Sequence, residues 1–222
     1  MQLQLWNRLF AYTIGIMAGC VIGGVLFFWV GQPIGSAIAD GRYSWYISRS
    51  TGIVAYLFAW LSTLTGLLIT SRQAQLWPGV VRTNDIHRQA SIVSLIMTVV
   101  HVMVLLSNTF LNYTWVSLFV PDLNGPYLPI AIGIGQIALP ISLIVTLSAE
   151  WRSALGKAWR WIHMGAFGVF VAAAVHGIYS GSDTRSPLIS GMYIVTICSV
   201  VFLTIYRIRY RDLEQQHRHA TH

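Results

Sequence analysis

The sequence predicts an all-α, polytopic membrane protein, built as a bundle of six transmembrane helices with both termini in the cytoplasm. Of its 222 residues, 55% are hydrophobic and only 9% are charged, whereas soluble domains carry about 25% charged residues. Its mean hydropathy is +0.61. A membrane crossing needs about 20 mainly apolar residues, and six stretches are long enough or nearly so: residues 9–30, 51–70, 88–107, 128–148, 161–180 and 188–206.

These stretches divide the chain into three parts. We assign residues 1–50 to the first transmembrane helix and an outer segment, residues 51–206 to a five-helix bundle, and residues 207–222 to a polar cytoplasmic tail. Ala37-Ile38-Ala39 resembles a signal-peptidase site, but the preceding apolar run is longer than the 7–15 or so residues of a signal peptide. We therefore expect the first helix to be retained.

Basic residues predict the orientation, because cytoplasmic loops carry an excess of lysine and arginine. With six spans, three arginines fall outside: Arg42, Arg49 and Arg185. Eleven basic residues fall inside: Arg8, Arg72, Arg82, Arg88, Arg152, Lys157, Arg160, Arg207, Arg209, Arg211 and Arg218. We therefore attribute the formal charge of +7 to the membrane topology of a multi-pass protein of the inner (cytoplasmic) membrane, and not to a nucleic-acid-binding surface.

Four histidines lie in predicted spans, where ionisable residues are rare and point to function. His87 and His163 begin the third and fifth spans, and His101 and His176 follow 14 and 13 residues later. At a rise of about 1.5 Å per residue, each gap is about 20 Å. The two spans run in the same direction, so the histidines pair at two depths: His87 with His163, and His101 with His176. Facing imidazoles are suitable axial ligands for haem iron.

On an ideal helix, the angle between the two histidines suits this pairing on the third span but not on the fifth. At about 100° per residue, His101 returns to within about 40° of His87, whereas His176 lies about 140° from His163. A bend or local rewinding near Gly165 and Gly168 would remove this misfit. Any single intramembrane histidine also suits a hydrogen bond between helices.

The paired spacings, H-x13-H and H-x12-H, resemble the ferric reductase-like transmembrane domain family over roughly residues 45–206. Local matches are "SRSTGIVAYL", "HR", "LGKAWRWIH" and "HGIYSGSDT". The family includes the membrane domain of NADPH oxidases, metalloreductases and the haem-binding subunit of the periplasmic methionine sulfoxide reductase system. That subunit lacks a histidine at the position of His87, so this chain resembles the two-haem branch.

The resemblance implies two stacked b-type haems, bound by His87 and His163 on the inner side and by His101 and His176 on the outer side. It also implies that Arg49 contacts an outer haem propionate or the acceptor site, although Arg49 equally suits an interfacial anchor. No Cys-x-x-Cys-His sequence is present for covalent attachment of haem. Flavin and NADPH domains follow the sixth helix in the oxidases but not here, so we expect a separate donor: a flavoprotein, a bound flavin or a quinol.

Residues at both ends of the spans have two interpretations each. Arg82, Arg88, Lys157 and Arg160 suit propionates or an acidic donor, and they equally satisfy the positive-inside rule. Asp183 and Arg185 suit an acceptor site or a simple turn. Trp159, Trp161 and Phe167 suit contact with a porphyrin or the interfacial aromatic belt.

Three functions remain open from the sequence. The first is a membrane haem protein that carries electrons from a cytoplasmic donor to an outer acceptor, such as ferric iron, oxygen or a partner protein. The second is a subunit that passes electrons from quinol or flavin to a periplasmic reductase. The third is a haem-free scaffold or transporter, in which the histidines form hydrogen bonds between helices or a proton path.

Overall fold

The structure is a computed structural model that describes residues 43–75, 79–106, 113–123, 125 and 127–220, with side chains as far as residue 210. The predicted first span, residues 9–30, and the sequence Ala37-Ile38-Ala39 lie outside the described residues. Within the described part the chain is helical and contains no strand.

Five long helices make up the described chain, and we number them α1 to α5 in chain order. Their bounds are Tyr43–Thr70, Val80–Leu105, Pro129–Ser148, Lys157–Ser180 and Pro187–Ala220. Short helical turns at Ala149–Trp151 and Arg152–Leu155 join α3 to α4, and a further turn at Val116–Leu118 lies between α2 and α3. The helices correspond to the second to sixth predicted spans. All five are long and apolar enough to cross a membrane.

Helix α1 begins eight residues before the predicted start of its span. We assigned residues up to 50 to an outer segment, but α1 begins at Tyr43, and serines in this stretch find carbonyl acceptors. Ser48 Oγ donates to the carbonyl of His101 in α2 at 3.3 Å. Ser50 Oγ, for example, donates to the carbonyl of Tyr46 at 2.9 Å. Ser44, Ser48 and Ser50 are all buried. Hydroxyls satisfied in this way can lie inside a helical interface.

Helices α1 and α2 form one antiparallel hairpin, and α3 and α4 form another. In the first, Ser94 Oγ of α2 donates to the Ala55 carbonyl of α1 at 2.9 Å. In the second, small residues allow close approach, and Gly165 lies against Val145 and Ile141. Pro140 lies inside α3, which continues through it as a helix. Helices α2 and α4 do not pack closely on each other, which leaves space between the hairpins.

Helix α5 packs on α1 and completes the core. Tyr56 of α1 stacks on Phe170 of α4, with ring centres 5.7 Å apart. Its hydroxyl forms a 2.6 Å hydrogen bond with Thr196 of α5. Nearby, Trp60 Nε1 donates to Ser199 Oγ at 2.8 Å. These polar groups are therefore satisfied between helices, as burial in an apolar layer requires.

The outer surfaces of the helices are apolar. Exposed residues include Val99 on α2, Ile144 on α3, Val171 on α4 and Phe202 on α5. Contiguous apolar surface of this extent is unfavourable in water and suits contact with lipid. The described chain thus has the architecture of a multi-pass, helical membrane protein.

Candidate cofactor site

The four histidines of α2 and α4 meet in two pairs. The ring centres of His87 and His163 are 5.8 Å apart, with an angle of 77° between the ring planes. Those of His101 and His176 are 6.2 Å apart, at 79°. Because lower-numbered residues pair with lower-numbered residues, α2 and α4 run in the same direction. The pairs therefore lie at two depths of the bundle, as the spacing predicts.

The angle of about 140° between His163 and His176 around the axis of α4 does not prevent either ring from meeting its partner on α2. Helix α4 is α-helical from Lys157 to Ser180, so the local rewinding suggested at Gly165 and Gly168 is absent. The histidine side chains instead extend into the space between α2 and α4. Each ring of α4 meets its partner there, although the two side chains leave the helix in different directions.

Helix α1 fixes both histidines of α2 in the same way. His101 Nδ1 lies 2.7 Å from the carbonyl oxygen of Ser48, and His87 Nδ1 lies 2.7 Å from that of Ser62. A carbonyl oxygen only accepts, so Nδ1 carries the proton in both rings. Nε2 then keeps its lone pair and is free to bind a metal.

Helix α3 fixes His176 by an equivalent contact. Its Nδ1 lies 2.8 Å from the carbonyl oxygen of Ala131. The hydroxyl of Ser180 donates to the backbone carbonyl of His176, four residues earlier in α4. The tautomer of His176 is therefore the same as in His87 and His101, with Nε2 unprotonated.

His163 is held differently from the other three. Its Nδ1 is buried without a hydrogen-bond partner. The ring instead stacks on Trp159, with centres 4.8 Å apart and planes within 21°. Trp159 Nε1 is also buried without a partner. The pair of His87 and His163 thus combines one ring with a fixed tautomer and one whose Nδ1 is unpaired.

The separation of the rings fits a metal ion between them. Two metal–imidazole bonds of about 2 Å, with about 1 Å from each nitrogen to its ring centre, place axial ligand rings about 6 Å apart. No three His, Cys, Asp or Glu side chains of the described residues come together as a metal site. Among these residue types, each histidine pair could therefore supply two ligands to a metal, and another group, such as a porphyrin, would have to fill the remaining positions.

A partly open cavity of about 270 Å³ extends from the outer pair toward the centre of the bundle, and His101 and His176 line it. Most of its wall is apolar, with hydroxyls contributed by residues such as Ser94 and Ser142. Neither His87 nor His163 lines it. Such a mainly apolar wall with a few polar groups is typical of a cofactor site.

Arg49 lies in the second turn of α1, inside the helix and not at its start, and it lines the outer part of the cavity. It forms an ion pair with Asp183, and its guanidinium carbon lies 5.9 Å from the centre of the Tyr46 ring. Arg49 Nε is buried without a partner. Asp183, which suited either a turn or an acceptor site, therefore also fixes this arginine.

Tyr113 and Gln136 add polar groups to the same end of the cavity. Burial raises the pKa of the Tyr113 phenol above its ordinary value of 10.0, so it stays protonated and able to donate. The side-chain amide of Gln136 donates to the carbonyl of Ser117, whereas its Oε1 is buried without a partner.

The structure distinguishes among the basic and aromatic residues at the inner ends of the spans, which had two interpretations each. Arg88 pairs with Glu150 at 2.9 Å, and both side chains are largely exposed. Trp161 is 75% exposed, whereas Phe167 packs against the core. Of the three aromatic candidates, Trp159 is the one that stacks on a site histidine, His163.

The backbone carbonyls that hold three of the histidines were not predicted from the sequence. Ser48 to Gly52 reads SRSTG and Ser62 to Gly66 reads STLTG, so the pattern S-x-x-T-G occurs twice in α1. The two copies are 14 residues apart, the same distance as His87 and His101. This matched spacing on adjacent antiparallel helices was the available signal.

Comparison with known proteins identifies a family. A family model described as a domain of unknown function (DUF8596) matches residues 43–183. The chain belongs to this family. No curated protein and no solved structure matches it.

The DUF8596 region coincides with the two hairpins. It begins at the first residue of α1 and ends at Asp183, so it includes all four histidines and Arg49. Helix α5, which packs on α1, follows it. The family is therefore defined by the part of the chain that carries the candidate site.

Proposed function

We propose that the chain is a membrane b-type haem protein that carries electrons across the bilayer, as in the ferric reductase-like family that it resembles. His87 and His163 would bind an inner haem, and His101 and His176 an outer haem. The observation that supports this best is the meeting of two imidazole pairs at two depths, with ring centres 5.8 and 6.2 Å apart. Three of the four rings carry their proton on Nδ1, which leaves Nε2 for iron.

A bound haem supplies one-electron redox chemistry, and the protein sets its position and potential. Two imidazoles on one iron leave no open axial position, so the acceptor would take electrons at the haem edge. The two histidine levels are about 20 Å apart along α2, which covers most of an apolar layer about 30 Å thick. Two levels of ligands thus suit transfer across the membrane.

In the proposed topology, the protein crosses the inner (cytoplasmic) membrane six times, and both termini lie in the cytoplasm. The distribution of basic residues supports this orientation. It places His87 and His163 near the cytoplasm, and Arg49 with Asp183 at the outer end of the cavity. The donor would be a flavoprotein or a quinol on the inner side, and the acceptor would meet the outer pair.

Single histidine variants test the ligand assignment. Replacing His87, His101, His163 or His176 with alanine should lower the haem content of the purified chain by about half, because each ligand serves one of two haems. His217→Ala in the tail is the control and should retain the full content. Haem per chain is measured from the pyridine haemochrome spectrum. Unchanged haem in all four variants would contradict the assignment.

A further inference from the structure

We propose that Gly52, Gly66 and Gly135 are positioning residues, each of which uncovers the backbone carbonyl that orients a site histidine. The role in redox chemistry rests on the proposed function. In each case the carbonyl belongs to the residue four positions earlier: Ser48, Ser62 and Ala131. The same arrangement occurs three times, twice in α1 and once in α3.

Helix geometry explains why glycine is needed at these positions. Each Cα–Cβ bond tilts toward the helix N-terminus, so the side chain at position i+4 lies over the carbonyl at position i. That carbonyl already accepts a bond from the i+4 amide, but its second lone pair is still available. Glycine leaves this lone pair open to a ring from a neighbouring helix.

The space around each glycine is already occupied by the ring. A Cβ added at Gly52 would lie 3.0 Å from His101 Nδ1. At Gly66 it would lie 3.2 Å from His87 Cε1, and at Gly135 it would lie 2.7 Å from His176 Nδ1. A methyl group would therefore push the ring away from its carbonyl, and the ring bears the nitrogen assigned to iron.

His163 is the exception, and the register explains it. Gly165 lies against Val145 and Ile141, and His176 against Ala131, so His163 comes level with about residues 143 to 147 of α3. Four residues further along the chain, positions 147 to 151 contain no glycine. The glycine that accompanies the other three contacts is thus missing here, in agreement with the unpaired Nδ1 of His163.

Alanine substitutions in the full-length chain test the role of the glycines. Each variant is purified alongside wild type, and haem per chain and the low-temperature electron paramagnetic resonance spectrum of the oxidised protein are recorded. His87→Ala and His101→Ala assign the signals to the inner and outer haems. Gly168→Ala is the control, because a Cβ there meets nothing within 4 Å.

The proposal predicts effects confined to one site at a time. Gly52→Ala and Gly135→Ala should shift or abolish the outer signal and leave the inner one unchanged. Gly66→Ala should do the reverse, and Gly168→Ala should change neither. Where haem is lost, the content should fall by about half, as expected when one of two sites loses a ligand orienter. The unaffected haem in the same chain reports that the variant is folded.

Two results would overturn the proposal while leaving the proposed function intact. One is unchanged signals in all three variants, in a wild type that holds two haems. The other is simultaneous loss of both haems in all three, which indicates a general packing role. A wild-type chain that folds without haem would instead contradict the proposed function itself.

Discussion

At the scale of single residues, the site depends on the choice between two imidazole nitrogens. Carbonyls at Ser48, Ser62 and Ala131 fix the proton on Nδ1 of three rings, and this choice leaves Nε2 for a metal. His163 lacks such a carbonyl and depends on stacking with Trp159. The two pairs, although alike in ring separation, are therefore unequal in how firmly their ligands are oriented.

Trp159→Leu should weaken the inner site alone. Aromatic pairs contribute about 0.5–1.5 kcal/mol beyond their buried area, so inner haem affinity should fall by up to about tenfold. The measurement is the rate of haem transfer to an excess of an apo-protein that captures haem. Trp161→Leu is the matched control, because Trp161 is two residues away and largely exposed. Equal haem loss in the two variants would show that the stacking on His163 is unimportant.

At the scale of helices, the sequence predicts the presence of each helix better than the residues at which it begins and ends. Five predicted spans correspond to α1–α5, but α1 and α2 start about eight residues early, and α5 continues to Ala220. Apolar runs mark the layer in which a helix contacts lipid, whereas helical hydrogen bonding continues beyond that layer. The polar start of α1 was assigned to an outer segment, whereas its buried serines are satisfied by hydrogen bonds within α1, as for Ser50, or to α2, as for Ser48.

The pairing of histidines was predictable and their support was not. Two spans in the same direction with similar histidine spacing place rings at matched depths, which the sequence shows directly. The carbonyls of α1 and α3 became visible only when neighbouring helices were packed in register, because a backbone oxygen leaves no residue type to recognise. The repeated S-x-x-T-G of α1, with the same 14-residue spacing as His87 and His101, is the sequence feature that corresponds to this packing.

The attachment of α5 to α1 gives a prediction for stability. Tyr56→Phe removes the hydroxyl that bonds Thr196 and should lower the free energy of unfolding by about 0.6 kcal/mol, the mean value for such bonds between membrane helices. Unfolding of the detergent-solubilised chain is followed by circular dichroism in increasing sodium dodecyl sulfate. Tyr179→Phe, at an exposed tyrosine, is the control. A larger loss in Tyr179→Phe would contradict the assigned packing.

At the scale of the whole molecule, two hairpins enclose the space that the cofactors would occupy. Helix α1 packs on α2, and α3 packs on α4, whereas α2 and α4 meet through histidine rings and do not pack closely on each other. This gap between α2 and α4, with imidazole rings of both helices in it, is the feature that the proposed haems require and that a haem-free scaffold does not. The DUF8596 match covers this pair of hairpins.

The most direct test of the central claim is the haem content and spectrum of the purified wild-type chain from cells supplied with haem precursor. With both histidine pairs occupied, we predict two b-type haems per chain, both six-coordinate and low-spin in the oxidised state. A folded, monodisperse chain that contains no haem, or whose iron is high-spin and open at one axial position, would contradict the proposed ligation by His87, His101, His163 and His176.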